Sequence, residues 1–310
     1  MIELSKYSCE GKDKWDDFVS KSKNGVFLFY RDYIEYHADR FKEHSLVFLK
    51  KRKIIAIFPA NEDGLNIISH GGLTFGSLIM SKKIRMVEVL DIFEKIKSYY
   101  ADLGFSRIIY KAIPTIFHSY PAEEDLYALF RNNALTVKRD ISSVIKIENA
   151  LRFSPTKRQA INKGLENRIV VSESDNFDDY WMILEDVLLK HNTKPTHTKE
   201  EIIKLKALFN DNIRLFEARK DGGLLAGVVI YDYGKLVHTQ YMANSVNGRK
   251  MGALDIINHY LLTKVFQGKE YFSFGTSNEQ MGRKLNLGLI QQKEMMGGRG
   301  ISVDSYQILL

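Results

Sequence analysis

Lys293 and Glu294 lie near the end of an amphipathic segment that follows a short apolar run ending in Gly275-Thr276-Ser277. A lysine late in a helix can neutralise an oxyanion or hold a phosphate group. These residues indicate a polar site where a strand ends, so the elements that would position them come next.

The second half of the sequence has β-rich runs first and helices later. Three apolar runs with glycine-containing turns, over 213–244, predict an antiparallel meander. The polar segment "SVNGRK", residues 245–250, is predicted to be a loop. The next segment, "MGALDIINHYLLTKVFQG", has helical periodicity and ends at Gly268.

The closing region is predicted as strand, helix and strand. "EYFSFG" reads as a buried strand. Residues 277–298 predict one long helix, with Met281, Leu285, Leu289 and Met296 near one face and Gly297-Gly298 as its end. "ISVDSYQILL" alternates in polarity and predicts a final strand.

The first half repeats this order of elements with little repetition of residue identity. Each half therefore reads as three strands, a loop, helix, strand, helix and strand, preceded by helical material, which indicates a tandem duplication. We expect domains at 1–150 and 151–310. The "KKRK" cluster at 50–53 is interpreted as a solvated hairpin turn. Ser154 and Pro155 predict the start of a basic linker helix.

Composition excludes several classes of protein. The chain has 310 residues, 45% hydrophobic residues, one cysteine and five prolines, which is typical of a globular protein without disulfides. We expect a cytoplasmic protein with no membrane span. The net charge of +7 suits an anionic small ligand.

P-loop, Rossmann and serine-hydrolase motifs are absent from the sequence. His191 and His197 make a poor zinc pair, so no metal is expected.

Several phrases carry a resemblance to a known family: "KRQAINKG", "HTQYMANSVNGRKMGA", "YFSFGTSNEQMGRKLNLGLIQQKEMMGGR" and "DSYQI". The order of elements resembles the GNAT acyltransferase fold. The duplicated arrangement is similar to the Fem-type peptidoglycan aminoacyltransferases and their FemAB-like relatives. The resemblance covers essentially the whole chain. It implies an α/β mixed-sheet protein of two tandem GNAT domains, the first of them degenerate.

The resemblance also implies where an acyl donor binds. In GNAT enzymes the thioester lies between the fourth and fifth strands, and the next loop and helix cradle the pyrophosphate. That loop has the pattern Arg/Gln-x-x-Gly-x-Gly/Ala. Arg249 and Gly252 match, with Asn247 and Gly248 beside them, whereas Leu254 stands at the last small position and would crowd the phosphates. An acyl-coenzyme A donor, such as acetyl-coenzyme A, is expected here.

The remaining site residues follow from the same resemblance. Lys293 is expected at the acceptor and transition state, and His238 and Gln240 are candidate catalytic residues on the fourth strand. With regular pairing His238 and Gln240 share a face, and Tyr241 lies on the other. The expected substrate-binding residues are Tyr241, Thr276, Ser277 and Arg158.

Three functions remain open. The leading hypothesis is acyl transfer from acyl-coenzyme A to an amine of a sugar, nucleotide-sugar or cell-envelope precursor. A Fem-type transferase would instead use aminoacyl-tRNA, whose binding would be sensitive to salt. A non-catalytic binding protein with the same fold is the third. The acceptor, the base and the oligomeric state do not follow from the sequence.

Overall fold

The computed structural model describes residues 1–190 and 192–310, so His191 lies outside the described residues. The chain forms two compact units. Unit 1 comprises Met1–Asp140, Met281–Arg283 and Ser302–Leu310, and unit 2 comprises Ile141–Gln280 and Lys284–Ile301. The functional assignment of the two expected domains stays a prediction.

The first half of the chain supplies nine strands and four helices within the described residues. They are β1 (Ile2–Lys6), α1 (Lys12–Lys21), α2 (Arg31–Glu35), β2 (Lys42–Glu43), β3 (Leu46–Lys50), β4 (Lys53–Phe58), β5 (Asn61–Asp63), β6 (Asn66–Ile68), β7 (Ile79–Met80), α3 (Met86–Asp102), β8 (Arg107–Lys111), α4 (Glu124–Arg131) and β9 (Leu135–Lys146).

The second half follows with the remaining elements. They are α5 (Pro155–Glu166), β10 (Val170–Ser174), α6 (Phe177–Leu189), α7 (Lys199–Leu208), β11 (Ile213–Lys220), β12 (Gly223–Asp232), β13 (Leu236–Asn244), α8 (Val246–Met251), α9 (Ala253–Tyr260), a π-helical turn (Leu261–Val265), β14 (Tyr271–Thr276), β15 (Asn278–Glu279), β16 (Lys284–Leu285), α10 (Leu287–Met295) and β17 (Arg299–Leu309).

The sheets of the two units have related connectivity. In unit 2 the strand order is β10-β11-β12-β13-β14-β9, and in unit 1 it is β17-β8-β6-β5-β2, beside a separate sheet β1-β3-β4-β7. The pairs β6–β8 and β13–β14 are parallel. The mixed α/β architecture with a duplicated order of elements is as the sequence predicts.

The closing strand of each half of the chain pairs with a strand of the unit that the other half mainly forms. Residues 142–146 of β9 pair antiparallel with β14 in unit 2. Residues Ser305–Leu309 of β17 pair antiparallel with β8 in unit 1. Neither half of the sequence is therefore a complete unit by itself.

Each unit has its own apolar core. In unit 1 the core includes Phe58, Phe93 and Tyr110, and in unit 2 it includes Val228, Ile257 and Phe272. Burying side chains of this size contributes about 1.5–3 kcal/mol each. The unit 2 core packs α9 against the meander and fixes the strands that carry the candidate site.

Two of the predicted elements are wrong. "SVNGRK" is not a loop, because Ser245 Oγ accepts a hydrogen bond from Gly248 N (2.9 Å) and caps the short helix α8. Residues 277–298 are not one helix. Gln280 and Met281 have positive φ (52° and 55°), so a β15–β16 hairpin precedes α10.

The helix α10 begins only at Leu287, with Asn286 Oδ1 accepting from Leu289 N (3.0 Å). Met281 and Leu285 are consequently exposed and Leu289 is half-buried, so Met296 alone of the four predicted apolar-face residues is buried. Of the other predictions, the "KKRK" turn is confirmed: Lys51 and Arg52 form the exposed turn between β3 and β4.

No helix among residues 1–190 and 192–310 is both long and apolar enough to span a bilayer.

Candidate active site

The candidate site begins where two parallel strands of unit 2 part. β13 and β14 are paired over only three residues each, Leu236–His238 with Tyr271–Ser273. β13 then continues to Asn244 while β14 ends at Thr276. The separation of these strands, which the resemblance implies, leaves backbone groups of β14 beside an opening.

Lys293 is a buried lysine at this opening. Its side chain is 3% exposed, and Nζ donates hydrogen bonds to the carbonyl oxygens of Gly275 (3.0 Å) and Thr276 (2.7 Å). Burial lowers the pKa of Lys293 from 10.5 to about 8, because a charged ammonium is poorly solvated there. A pKa near 8 allows the same amine to donate and accept a proton close to neutral pH.

His238 is held on the other wall of the opening. Its Nδ1 shares a 3.0 Å hydrogen bond with Ser273 Oγ. Burial, and then the positive charge of Lys293, lower the pKa of His238 to about 4, so the imidazole is neutral at pH 7. Gly275 has φ 74°, and a Cβ there would lie 3.0 Å from His238 Cε1. The glycine thus lets the β14 backbone approach the ring.

Gln240 and Tyr241 do not follow the regular alternation that the sequence predicts. A bulge in the β12–β13 pairing places Thr239 and Tyr241 opposite successive residues, and Gln240 is left without a partner. The Tyr241 hydroxyl lies 2.7 Å from His197 Nδ1. The bulge removes the regular alternation that would place Gln240 and His238 on one face of β13.

The two predicted hydroxyl residues at the end of β14 differ in exposure. The Thr276 residue is exposed, whereas Ser277 is 1% exposed. The Ser277 hydroxyl has no hydrogen-bond partner among the described residues. An unpaired buried hydroxyl costs free energy, so this is a polar position that a ligand can satisfy.

The predicted donor loop is packed against protein. Gly252 is left-handed (φ 77°), and a Cβ there would lie 2.1 Å from the carbonyl oxygen of Ala160 in α5. A Cβ on buried Gly248 would lie 2.2 Å from Asn244 Oδ1. Lys157 Nζ also contacts Asp255 Oδ1 (2.6 Å), which joins α5 to the first turn of α9.

The polar residues of this loop are on the surface. Asn247 and Arg249 are exposed on α8. Leu254, the residue that departs from the GNAT pattern, is buried in the unit 2 core. The loop therefore presents polar side chains, while its two glycines face protein atoms.

Arg158 lines an 860 Å³ cavity of unit 2 whose lining includes neither Lys293 nor His238. Its Nη1 donates a hydrogen bond to the carbonyl oxygen of Phe153 (3.1 Å).

Within the described part of the chain, no cluster of three or more His, Cys, Asp or Glu residues is placed to hold a metal ion.

Two groups that build the site do not follow from the sequence pattern. Ser273 is the partner of His238, and the Gly275 carbonyl is a partner of Lys293. The signal for Ser273 was a polar residue inside an otherwise apolar strand. The carbonyl contact had no signal, because every residue carries the same backbone acceptor.

Sequence comparison gives no relatives: no family model matches the chain, and no curated protein matches it. Solved structures do match it in fold. The crystal structure of FemX has a TM-score of 0.70 at 10% identity, covering 99% of this chain and 97% of FemX.

Two further structures match over nearly the whole length of both chains. L-PGS from Bacillus licheniformis has a TM-score of 0.63 at 13% identity, covering 95% of this chain and 90% of L-PGS. A tandem GNAT protein from the clavulanic acid biosynthesis pathway has a TM-score of 0.54 at 6% identity, covering 100% and 98%. The chain therefore has the tandem GNAT fold that the sequence analysis predicts.

Proposed function

We propose that this tandem GNAT chain transfers an acyl group from an activated ester to an amine, at the centre formed by Lys293, His238 and Ser273. The observation that carries the proposal is the buried ammonium of Lys293, which is held on two carbonyl oxygens at the opening between β13 and β14. Among the described residues Lys293 forms hydrogen bonds to these two carbonyl oxygens and no ion pair. Burying an unpaired charge costs free energy, and groups with pKa values shifted in this way cluster at functional sites.

Lys293 is suited to two parts of this reaction. An ammonium has three N–H donors, and two are used by Gly275 and Thr276. The third is available to the oxyanion that forms when the amine attacks the acyl carbon. With a pKa of about 8, Lys293 can protonate the leaving oxygen or sulfur and regain a proton from the new amide nitrogen. The C–N bond forms, the ester bond breaks, and protons balance.

His238 has a positioning role in this proposal. Its depressed pKa makes it a weak base, and the hydrogen bond to Ser273 fixes the ring. A neutral imidazole can accept a hydrogen bond from the attacking amine without adding a second positive charge near Lys293. His238 therefore orients the nucleophile while Lys293 handles the proton.

The packing of the predicted donor loop supports an aminoacyl ester, as on aminoacyl-tRNA, over a coenzyme A thioester. A pyrophosphate approaches the GNAT loop through backbone positions that glycines leave open. Here those positions on Gly248 and Gly252 face Asn244 Oδ1 and Ala160 O. The net charge of +7 is compatible with binding RNA phosphates.

Acyl-coenzyme A remains a second candidate donor, because a thioester in GNAT enzymes lies in the type of strand opening found here. Exposed Arg249 would then contact the pyrophosphate. For the acceptor we retain an amine on a sugar-linked or cell-envelope precursor. One protein of similar fold is described as a putative lysylphosphatidylglycerol synthetase.

Hydroxylamine provides a test that does not require the natural acceptor. It is a small nucleophile that converts an activated acyl group to a hydroxamate. The protein is incubated with hydroxylamine and either mixed aminoacyl-tRNA or acetyl-coenzyme A, and hydroxamate formation is compared with that of Lys293→Ala. Lys163→Ala, which removes an exposed lysine on α5, is the matched control.

We expect faster hydroxamate formation with aminoacyl-tRNA for the wild type and Lys163→Ala than for Lys293→Ala. Acceleration only with acetyl-coenzyme A would keep the transferase but change the donor. If neither donor reacts faster with the wild type than with Lys293→Ala, the transferase proposal fails and a binding-only protein is the better description.

A further inference from the structure

A large cavity of unit 2 has no part in the proposed reaction. It measures 860 Å³ and is formed by the 147–153 segment, α5, the end of α9 and the π-helical turn. That volume lies within the usual range of small-molecule pockets, roughly 300–1,000 Å³. Such a space is too large to be a packing defect.

The walls of the cavity are mainly apolar. Leu151, Phe153, Ile161, Leu165 and Leu262 line it. Leu151 and Leu165 remain 48% and 59% exposed, although single exposed leucines are ordinary on protein surfaces. Here two exposed leucines border one apolar cavity, and an apolar chain can cover both. Such burial contributes about 25 cal/mol of binding free energy per Å² of apolar surface.

Positive charge is concentrated in the same cavity. Arg152 and Arg158 line it, together with one carboxylate, Glu148. The hydrogen bond from Arg158 Nη1 to Phe153 O holds the guanidinium in place and uses one of its five N–H groups. The other N–H groups form no hydrogen bond to the described residues and can bind an anion in the forked geometry typical of arginine.

The helix that forms one wall is irregular at the cavity. α9 changes to a π-helical turn at Leu261–Val265, and Leu262 and Thr263 of that turn line the cavity. Thr263 Oγ1 donates to the carbonyl oxygen of His259 (2.8 Å), so the wider turn is stabilised locally. π-helical turns inside α-helices occur frequently at functional sites.

We propose that this cavity binds an anionic amphiphile, with a single apolar chain against Leu165 and Leu262 and a phosphate or carboxylate head at Arg158 and Arg152. Apolar walls alone would accept any hydrophobic molecule. Two arginines against one carboxylate select a negative head. The inference does not depend on the transferase proposal, because none of the residues at Lys293 lines the cavity.

The test uses decyl phosphate below its micelle concentration, titrated into the full chain by calorimetry. Decanol and inorganic phosphate are the chain-only and head-only comparisons. Arg158→Ala removes the anion contact and Leu165→Glu places a charge in the apolar wall. Lys163→Ala, on the same helix but outside the cavity lining, removes an equal charge. Thermal unfolding of each variant verifies that it is folded.

We expect saturable one-site binding of decyl phosphate, weakened about tenfold or more by Arg158→Ala and by Leu165→Glu, and unchanged by Lys163→Ala. Decanol and inorganic phosphate should each bind at least tenfold more weakly. The proposal is overturned if decyl phosphate does not bind. It is equally overturned if Arg158→Ala and Lys163→Ala weaken binding alike, since this would be non-specific charge attraction.

Discussion

His238 and Ser273 are joined by a 3.0 Å hydrogen bond at the last residue pair of the β13–β14 ladder. Ser273 Oγ also accepts a hydrogen bond from Gly275 N (3.3 Å), so one hydroxyl contacts both sides of the opening. Beyond this point the carbonyls of Gly275 and Thr276 are free of β13 and accept from Lys293 instead. The serine therefore lies between the end of the β13–β14 pairing and the carbonyl oxygens that hold the lysine.

Lys293 should make stability depend on pH in the alkaline range. Its pKa is about 8 in the folded chain and 10.5 for an unperturbed lysine, so the unfolded state binds more protons between these values. The wild type should therefore gain about 3 kcal/mol relative to Lys293→Met as pH rises from 8 to 10.5. Urea unfolding of both proteins at pH 7 and pH 10.5 measures this.

Lys163→Met serves as the control, because Lys163 is exposed on α5. Its difference in unfolding free energy from the wild type should be the same at both pH values. Parallel pH curves for the wild type and Lys293→Met would mean that Lys293 is solvated and not held as a buried ammonium.

His238 should add a second pH dependence of the same sign, at acid pH. Its folded pKa of about 4 lies below the usual 6.5, so its contribution is present above pH 6.5 and is lost as pH falls towards 4. Relative to His238→Gln, the wild type should lose at most about 3 kcal/mol as pH falls across this range. Urea midpoints at pH 4.5 and 7 give the comparison. An equal pH dependence of both proteins would contradict a buried neutral imidazole.

Glycine 252 should be required for packing against α5. Gly252→Ala places a Cβ 2.1 Å from Ala160 O at a φ of 77°, whereas Gly222→Ala has the same strain (φ 79°) with no atom within 4 Å. Left-handed strain costs about 1–2 kcal/mol in both variants. We expect Gly252→Ala to lose at least about 2 kcal/mol more, because a backbone carbonyl must move.

Fluorescence can restrict that measurement to unit 2. The chain has two tryptophans, Trp15 in unit 1 and Trp181 in unit 2. In a Trp15→Phe background, urea unfolding followed by Trp181 emission reports on unit 2. If Gly252→Ala and Gly222→Ala shift the midpoint equally, the contact with α5 is not a close one.

Patterns of polarity and capping predicted the fold well because they act over a few residues. The Ser154 cap forms as the sequence indicates, its side chain accepting a hydrogen bond from Lys157 N. The hairpin before α10 was missed because the apolar residues continue through it at a spacing that is typical of a helix. Hydrophobic periodicity reports side-chain spacing and does not reveal that φ is positive at Gln280 and Met281.

Predictions at the candidate site were limited by long-range geometry. Lys293 and His238 were named from the family resemblance and their roles stay predictions, whereas the bulge at Gln240 and the packing of Gly252 on Ala160 depend on neighbours distant in sequence. The pattern Arg-x-x-Gly was present, but it does not reveal what fills the space that a glycine leaves. A glycine serves a ligand or a neighbouring backbone equally well.

Acetyl-coenzyme A binding is the measurement that separates the two candidate donors. Since the backbone positions at Gly248 and Gly252 are filled by Asn244 and Ala160, we expect no saturable heat when acetyl-coenzyme A is titrated into the wild type or Arg249→Ala. Aminoacyl-tRNA should bind, with an affinity that falls steeply between 50 and 200 mM salt, as phosphate contacts release counterions. Saturable acetyl-coenzyme A binding that Arg249→Ala weakens would instead place a thioester donor at α8, and α5 would then have to move from Gly252 when the donor binds.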